Sequence, residues 1–203
     1  MGLFDRLLRR KPKIAGREAL AHFIGEQAAF LVQKGIYDYS RARSGHFSKI
    51  MLADAGFQSA LNRSRWRAFP LGLAMVGESV DATLSPNVAG ERRTLLDPLI
   101  GLILSIYDQY PCPQELSEEE WQAGRSDLLL HLERLSTHAP KRIIDIPVPF
   151  AERYFAMMPF DKSLLTPDAP TAQGFMQLQL IKVQEELADR IELEPVLREL
   201  RAP

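Results

Sequence analysis

Cysteine is almost missing from this chain: among 203 residues there is one, Cys112, flanked by Pro111 and Pro113. A single thiol excludes an internal disulfide, and without an activating base or metal-ligand spacing beside it Cys112 reads as inert. A reducing, cytoplasmic setting follows as the expectation. Long apolar runs are missing as well. The nearest, Leu95 to Tyr107, is interrupted by Asp97, Pro98 and Ser105 and falls short of the roughly 18 to 20 residues a spanning helix needs. It reads as a buried core helix. Asp5 and Arg6 break the first apolar positions and no small-residue cleavage site follows, which argues against a secretory signal. Asp5 and the short length also count against a mitochondrial presequence.

Catalytic signatures are equally scarce. A serine hydrolase of the common α/β type would carry Gly-x-Ser-x-Gly on a strand-to-helix turn, and Ser44-Gly45-His46 is only a turn with similar letters. The glycines are scattered singly, so no phosphate-cradling loop opens a helix. His22 and Glu26 lie four apart on one helical face, but two ligands do not make a metal site, and the paired Glu-x-x-His motifs of di-iron bundles are absent. His131 in its leucine-rich helix and His138 at the end of it read as hydrogen-bonded or solvated. No metal and no cofactor is expected, and an enzyme is the lesser reading.

What the chain does have is helical periodicity. Hydrophobic residues make up 46% and charged residues 25%, with ten Phe and two Trp to fill a core. Leu20, Phe23, Ile24, Ala28 and Leu31 recur at spacings of three and four and predict a core-facing helix from Arg17 to about Arg43, bent or ended at Gly35. A second segment through Phe47, Ile50, Met51, Leu52, Phe57 and Leu61 is expected to break near Ala55-Gly56, and a third runs from about Ser64 to Leu84. Asp97-Pro98 has the order of an N-cap and first helical residue, predicting a helix that starts there and stops before Pro111. Ser117 and Glu120 form a capping box ahead of Trp121, Leu128, Leu129, Leu132 and Leu135. Lys141 to Pro149, β-branched and interrupted by proline, predicts an extended connector packed along the helices. Helices at Phe150 to Met158, Asp168 to Arg190 and Pro195 to Leu200 complete an all-α fold, a single irregular bundle of about eight helices spanning residues 14–203. In the Phe155-to-Phe160 run, apolar and rich in methionine, core packing is the expectation.

Charge is distributed unevenly. Through Arg67 the chain carries 13 basic and five acidic residues, a balance of +8, and the remainder carries 12 and 21, a balance of -9. Either the basic third faces an external polyanion or the two parts neutralise each other in the fold. Two groups could meet an anion. Arg41, Arg43 and His46, close to Tyr37, Asp38 and Tyr39, suit a carboxylate or phosphate, and Arg63 joins them in a basic set. An enzyme acting on an anionic substrate at Tyr37 to His46 is the alternative function. Arg63, Arg65 and Arg67 alternate around Trp66, but helical residues two apart point to different sides and the pI is near 6.4, so nucleic acid is disfavoured.

The second group lies at the start of the chain. Residues 1–13 place Leu3, Phe4, Leu7 and Leu8 on one side of a helix and Arg6, Arg9 and Arg10 on the other, a basic amphipathic segment suited to an anionic lipid surface or an acidic protein partner. Its Met-Gly-Leu-Phe-Asp-Arg-Leu-Leu-Arg-Arg run resembles the short amphipathic membrane-targeting starts of bacterial peripheral proteins such as the cell-division topological specificity factor. The resemblance covers thirteen residues and carries no activity. About 1 kcal/mol per basic residue from anionic lipid and up to about 1.5 kcal/mol per partly buried apolar side chain are set against about 1 to 2 kcal/mol of backbone entropy per ordered residue. The balance is near zero. A second contact is therefore required, from the basic third or from a second copy of the chain in a homodimer. The expected function is a cytoplasmic helical binding or adaptor protein, peripheral at the inner membrane.

Overall fold

The structure, a computed structural model, describes residues 11–88, 92–161 and 169–202. The described residues are all-α and form seven helices of nine residues or more: α1 Arg17–Ala29, α2 Gly35–Ser44, α3 Ala55–Leu84, α4 Arg93–Asp108, α5 Glu118–Arg134, α6 Ala169–Arg190 and α7 Leu193–Arg201. The expected count of about eight is thus corrected to seven, because the segment through Phe47 yields only single turns and the one after Phe150 a five-residue helix. Of the amphipathic helix expected over residues 1–13, the first ten residues lie outside the described residues, and residues 11–13 are not helical. Among the described residues no helix is long and apolar enough to cross a membrane.

The centre of the bundle is α3. Every residue from Ala68 to Gly77 is buried, and Glu78, Ser79, Val80 and Asp81 continue the run, so this helix has no solvent face over four turns. A helix enclosed on all sides requires neighbours around its whole circumference, and α1, α4, α5 and α6 all pack on it. The break expected near Ala55-Gly56 falls one residue earlier. Asp54 stays extended and its carboxylate accepts from the Phe57 amide at 2.8 Å, an N-cap that starts one 30-residue helix where two segments had been expected. Pro70 sits inside it.

Pro98 gives a second correction. The helix begins at Arg93, five residues before the proline. Leu95 and Leu96 are buried, and their packing extends the helix backwards past Asp97. Pro98 therefore lies inside the helix, where it forgoes the bond to the Thr94 carbonyl and crowds that group, a cost the burial of Leu95 and Leu96 outweighs.

The first helix is interrupted at Phe30–Lys34, a π-helical turn ahead of Gly35. There the Tyr154 hydroxyl donates to the Val32 carbonyl at 3.4 Å. A wide turn of this kind takes in one extra residue and re-aims a carbonyl. The connector at 141–149 is not extended as expected but makes two 3₁₀ turns, Ile143–Asp145 and Val148–Phe150. Coiling lets Ile143 and Ile146 reach the core while Ile144 and Val148 face outward. At Ser117 the capping box is present in both directions. Phe155 and Met158 are buried and Phe160 packs on Tyr39, so the methionine-rich run does line the core.

Candidate functional site

Two regions bear on function: an exposed basic corner between α2 and α3, and a cleft between α3 and α5 with buried charges beside it.

The corner begins where α2 ends. Gly45 adopts φ 50°, a left-handed turn open to glycine at no steric cost, and the chain then makes a 3₁₀ turn at Gly45–Phe47 and one helical turn at Ser48–Met51 before the Asp54 cap. Phe47 and Ile50, three apart, stand 67% and 70% exposed. The sequence places both among the apolar positions of its second helical segment, and the structure turns them out. Beneath them the corner is fixed: Tyr39 meets Phe155 and Phe160 edge-on at 5.5 and 6.0 Å, Phe57 lies 5.7 Å from Phe160, and the Gln58 amide donates to the Leu52 carbonyl at 2.5 Å. Arg41, Arg43, His46 and Lys49 are exposed around the apolar pair. No acidic residue occurs between Tyr39 and Ala53. Arg41 and Lys49 make no ion pair among the described residues.

This arrangement redistributes the expected anion-binding set. Arg41, Arg43 and His46 are brought to one corner, while Arg63 is directed elsewhere: its guanidinium donates to the Glu115 carbonyl and to Glu120, each at 2.5 Å, at the head of α5. Asp38 pairs with Lys34 at 2.5 Å, and Tyr39 is turned into the aromatic cluster. Lys11 and Lys13, counted with the basic N-terminal segment, bind Glu186 and the Asp189 carbonyl on α6. Part of the charge asymmetry is therefore neutralised inside the fold. Leu3, Phe4, Arg6, Leu7, Leu8, Arg9 and Arg10 lie outside the described residues.

Buried charge is concentrated in α3, where Glu78 is 1% and Asp81 0% exposed. Each carboxylate is matched from another element. Lys141 Nζ lies 2.8 Å from Glu78 Oε1 and His131 Nε2 3.1 Å from Oε2. Burial drives the Glu78 carboxyl upward, but the hydrogen bonds and charges of His131 and Lys141 outweigh it and hold the group below its ordinary value. Asp81 receives Arg92 and the Ser85 hydroxyl, and Arg92 continues to the Leu135 and His138 carbonyls. The two acids, three residues apart inside an apolar run, were a visible anomaly that sequence reasoning passed over. Their partners, Arg92, His131 and Lys141, are too distant along the chain to be read from spacing.

Beside this cluster a cleft of about 230 Å³ opens between α3 and α5, walled by Trp66, Leu71, Trp121, Phe150 and Met157, with His131 at one end. Trp121 is stacked on Tyr107 at 4.1 Å, and the Tyr107 hydroxyl donates to the Trp121 carbonyl at 2.8 Å. Burial first, then nearby negative charge, pushes the Tyr107 phenol up, which keeps it a neutral donor. Cys112 stands apart. Desolvation and the neighbouring Glu118 raise its thiol above the ordinary value, and its sulfur lies 3.7 Å from the Pro113 and Leu116 carbonyls, both of which disfavour the reactive thiolate. His22 and Glu26 approach to 3.8 Å on an exposed face, and no group of three metal-ligating side chains occurs among the described residues. Compared with known proteins, the chain matches no family model, no curated protein and no solved structure.

Proposed function

We propose that this chain is a binding protein that associates peripherally with an anionic membrane surface, and that the corner from Arg41 to Met51 is its folded point of contact. The observation that carries this reading is the exposure of Phe47 and Ile50 inside a stretch whose charged residues are all basic. Two large apolar side chains, three residues apart and about two-thirds exposed, are the candidate centre of an interaction patch. Basic residues around them favour a surface of negative charge.

The energetics differ from those of the N-terminal segment. Arg41 and Lys49 contribute about 1 kcal/mol each near anionic lipid, and two partly inserted apolar side chains about 1.5 kcal/mol each. The corner is already folded on Tyr39, Phe57 and Phe160, so little backbone entropy is lost on contact. It therefore supplies the second contact that the basic N-terminal segment requires, the more so because Lys11 and Lys13 are engaged on α6, and the two together bind reversibly.

Vesicle co-sedimentation tests the proposal. The full chain is expected to sediment with phosphatidylglycerol-containing vesicles at low salt, to be released at high salt, and to remain free of pure phosphatidylcholine vesicles. The Phe47→Glu, Ile50→Glu variant changes only exposed positions and should bind at least about tenfold more weakly. Equal partitioning of variant and wild type overturns the reading, as does failure of the wild type to bind anionic vesicles; an acidic protein partner then becomes the better explanation of the corner.

A further inference from the structure

The geometry points to the cleft between α3 and α5 as a binding site for a small ring-bearing monocarboxylate. It rests on observations independent of the basic corner. Space exists there because the facing positions are side-chain-poor: Pro70 and Ala74 on α3 oppose Ala123 and Gly124 on α5. A Cβ on Gly124 would come within 3.2 Å of the Tyr107 hydroxyl and 3.4 Å of Pro70, so glycine keeps this floor open. At about 230 Å³ the cleft lies below the roughly 300 Å³ at which drug-sized ligands are held, which suits a single-ring molecule. Trp66, Phe150 and Met157 give it ring faces and a polarizable sulfur, the surfaces on which an aromatic body packs best.

The charges at the rim select the head group. Glu120 is bound by Arg63 and by the Ser117 amide, at 2.5 and 3.2 Å, and Asp127 is bound by Arg153 at 2.7 Å. His131 is held by Glu78, whose second oxygen is matched by Lys141. Arg67 is the exception. It lines the cleft and is exposed; its charge helps hold the Glu120 carboxyl down, but it makes no direct ion pair among the described residues, and Glu120 is already bound by Arg63 and Ser117, so the Arg67 guanidinium can turn to an incoming anion. The lining sets two acids, Glu120 and Asp127, against two arginines, Arg67 and Arg153, a balance that favours an anion of one charge over one of two. One apolar ring within the wall that Trp66 and Phe150 help to form, with one carboxylate on Arg67, satisfies these groups together.

Fluorine NMR with para-trifluoromethylbenzoate as the probe, and the uncharged para-trifluoromethylbenzamide as its control, tests the assignment on the full chain. The benzoate is expected to bind about tenfold more tightly than the amide. Arg67→Gln should abolish that difference while leaving the amide unchanged, and Ala123→Trp, which fills the cleft from an exposed position, should abolish binding of both. Should Ala123→Trp fail to fold, the Arg67→Gln comparison decides alone. Absence of benzoate binding overturns the assignment, and so does equal affinity for the two probes in the wild type, or benzoate binding to a folded Ala123→Trp variant as to the wild type.

Discussion

Glu78 carries a full charge at a position almost without solvent contact, and its ionisation is sustained by Lys141 and His131 from two other elements. Removing one partner of a buried pair leaves the other uncompensated, which is worse than having neither. Lys141→Met is therefore expected to lower the unfolding free energy by about 3 kcal/mol, measured by urea denaturation at neutral pH, and adding Glu78→Gln to it should recover part of the loss. The pH dependence has a definite sign. Because the folded carboxyl is held below its ordinary value of 4.5, Glu78 stabilises the fold above that pH, and the contribution disappears as pH falls through the lowered folded value. Denaturation midpoints of the wild type should therefore drop in acid below about pH 4.5, and those of Lys141→Met, where less stabilisation remains to be lost, should drop less. A steeper acid dependence in the variant would contradict this account of Glu78.

Helix crossings set the tolerance of whole elements. Where α1 passes over α3, a Cβ on Gly72 would lie 2.8 Å from both the Ala28 carbonyl oxygen and Val32 Cγ1, and backbone cannot yield as a side-chain tip can. Gly72→Ala should destabilise by about 1 to 3 kcal/mol through overpacking. On α4 the exposed Gly101 has nothing within 4 Å of such an atom, and Gly101→Ala should instead stabilise by about 0.5 to 1 kcal/mol. Chemical denaturation of the two variants gives shifts of opposite sign if the crossing is as tight as described. Elements marked by local chemistry were legible in the sequence: the Ser117 capping box and the apolar period of Leu20 to Leu31 needed no tertiary knowledge. Elements decided by burial were not. Pro98 lies inside α4 because Leu95 and Leu96 are buried, and 141–149 coils because Ile143 and Ile146 must reach the core together. Local preference pointed the other way in both cases, and packing decided.

At the scale of the molecule, the sequence revealed the charge imbalance but not its geometry. Arg41, Arg43 and His46 could be grouped from their closeness along the chain, whereas Arg63 turns to Glu120 and Lys11 to Glu186 because distant acidic helices fold against the basic third. The exposure of Phe47 and Ile50 was illegible for a similar reason: their spacing is that of a core helix, and only Gly45 and the Asp54 cap rotate them outward. The same long-range logic joins the first described residues to the last helices. Ile14 is buried; its amide donates to the Arg190 carbonyl and its carbonyl accepts from the Glu192 amide, each at 2.9 Å. Arg190 Nε also donates to the Pro12 carbonyl at 2.9 Å, and the Arg17 amide at the head of α1 donates to Glu199 of α7 at 2.8 Å. These bonds link 12–17 with the junction of α6 and α7, and the one large apolar side chain that 12–17 buries is Ile14. Ile14→Ala should cost about 3 kcal/mol, and hydrogen exchange should report where the loss falls. If the clasp opens as a unit, the amides of Ile14, Arg17 and Glu192 lose protection together while those of α3 from Ala68 to Asp81 keep theirs. Continued protection of Glu192 in that variant would mean that the α6–α7 junction holds without the N-terminal residues, and that the clasp is not cooperative.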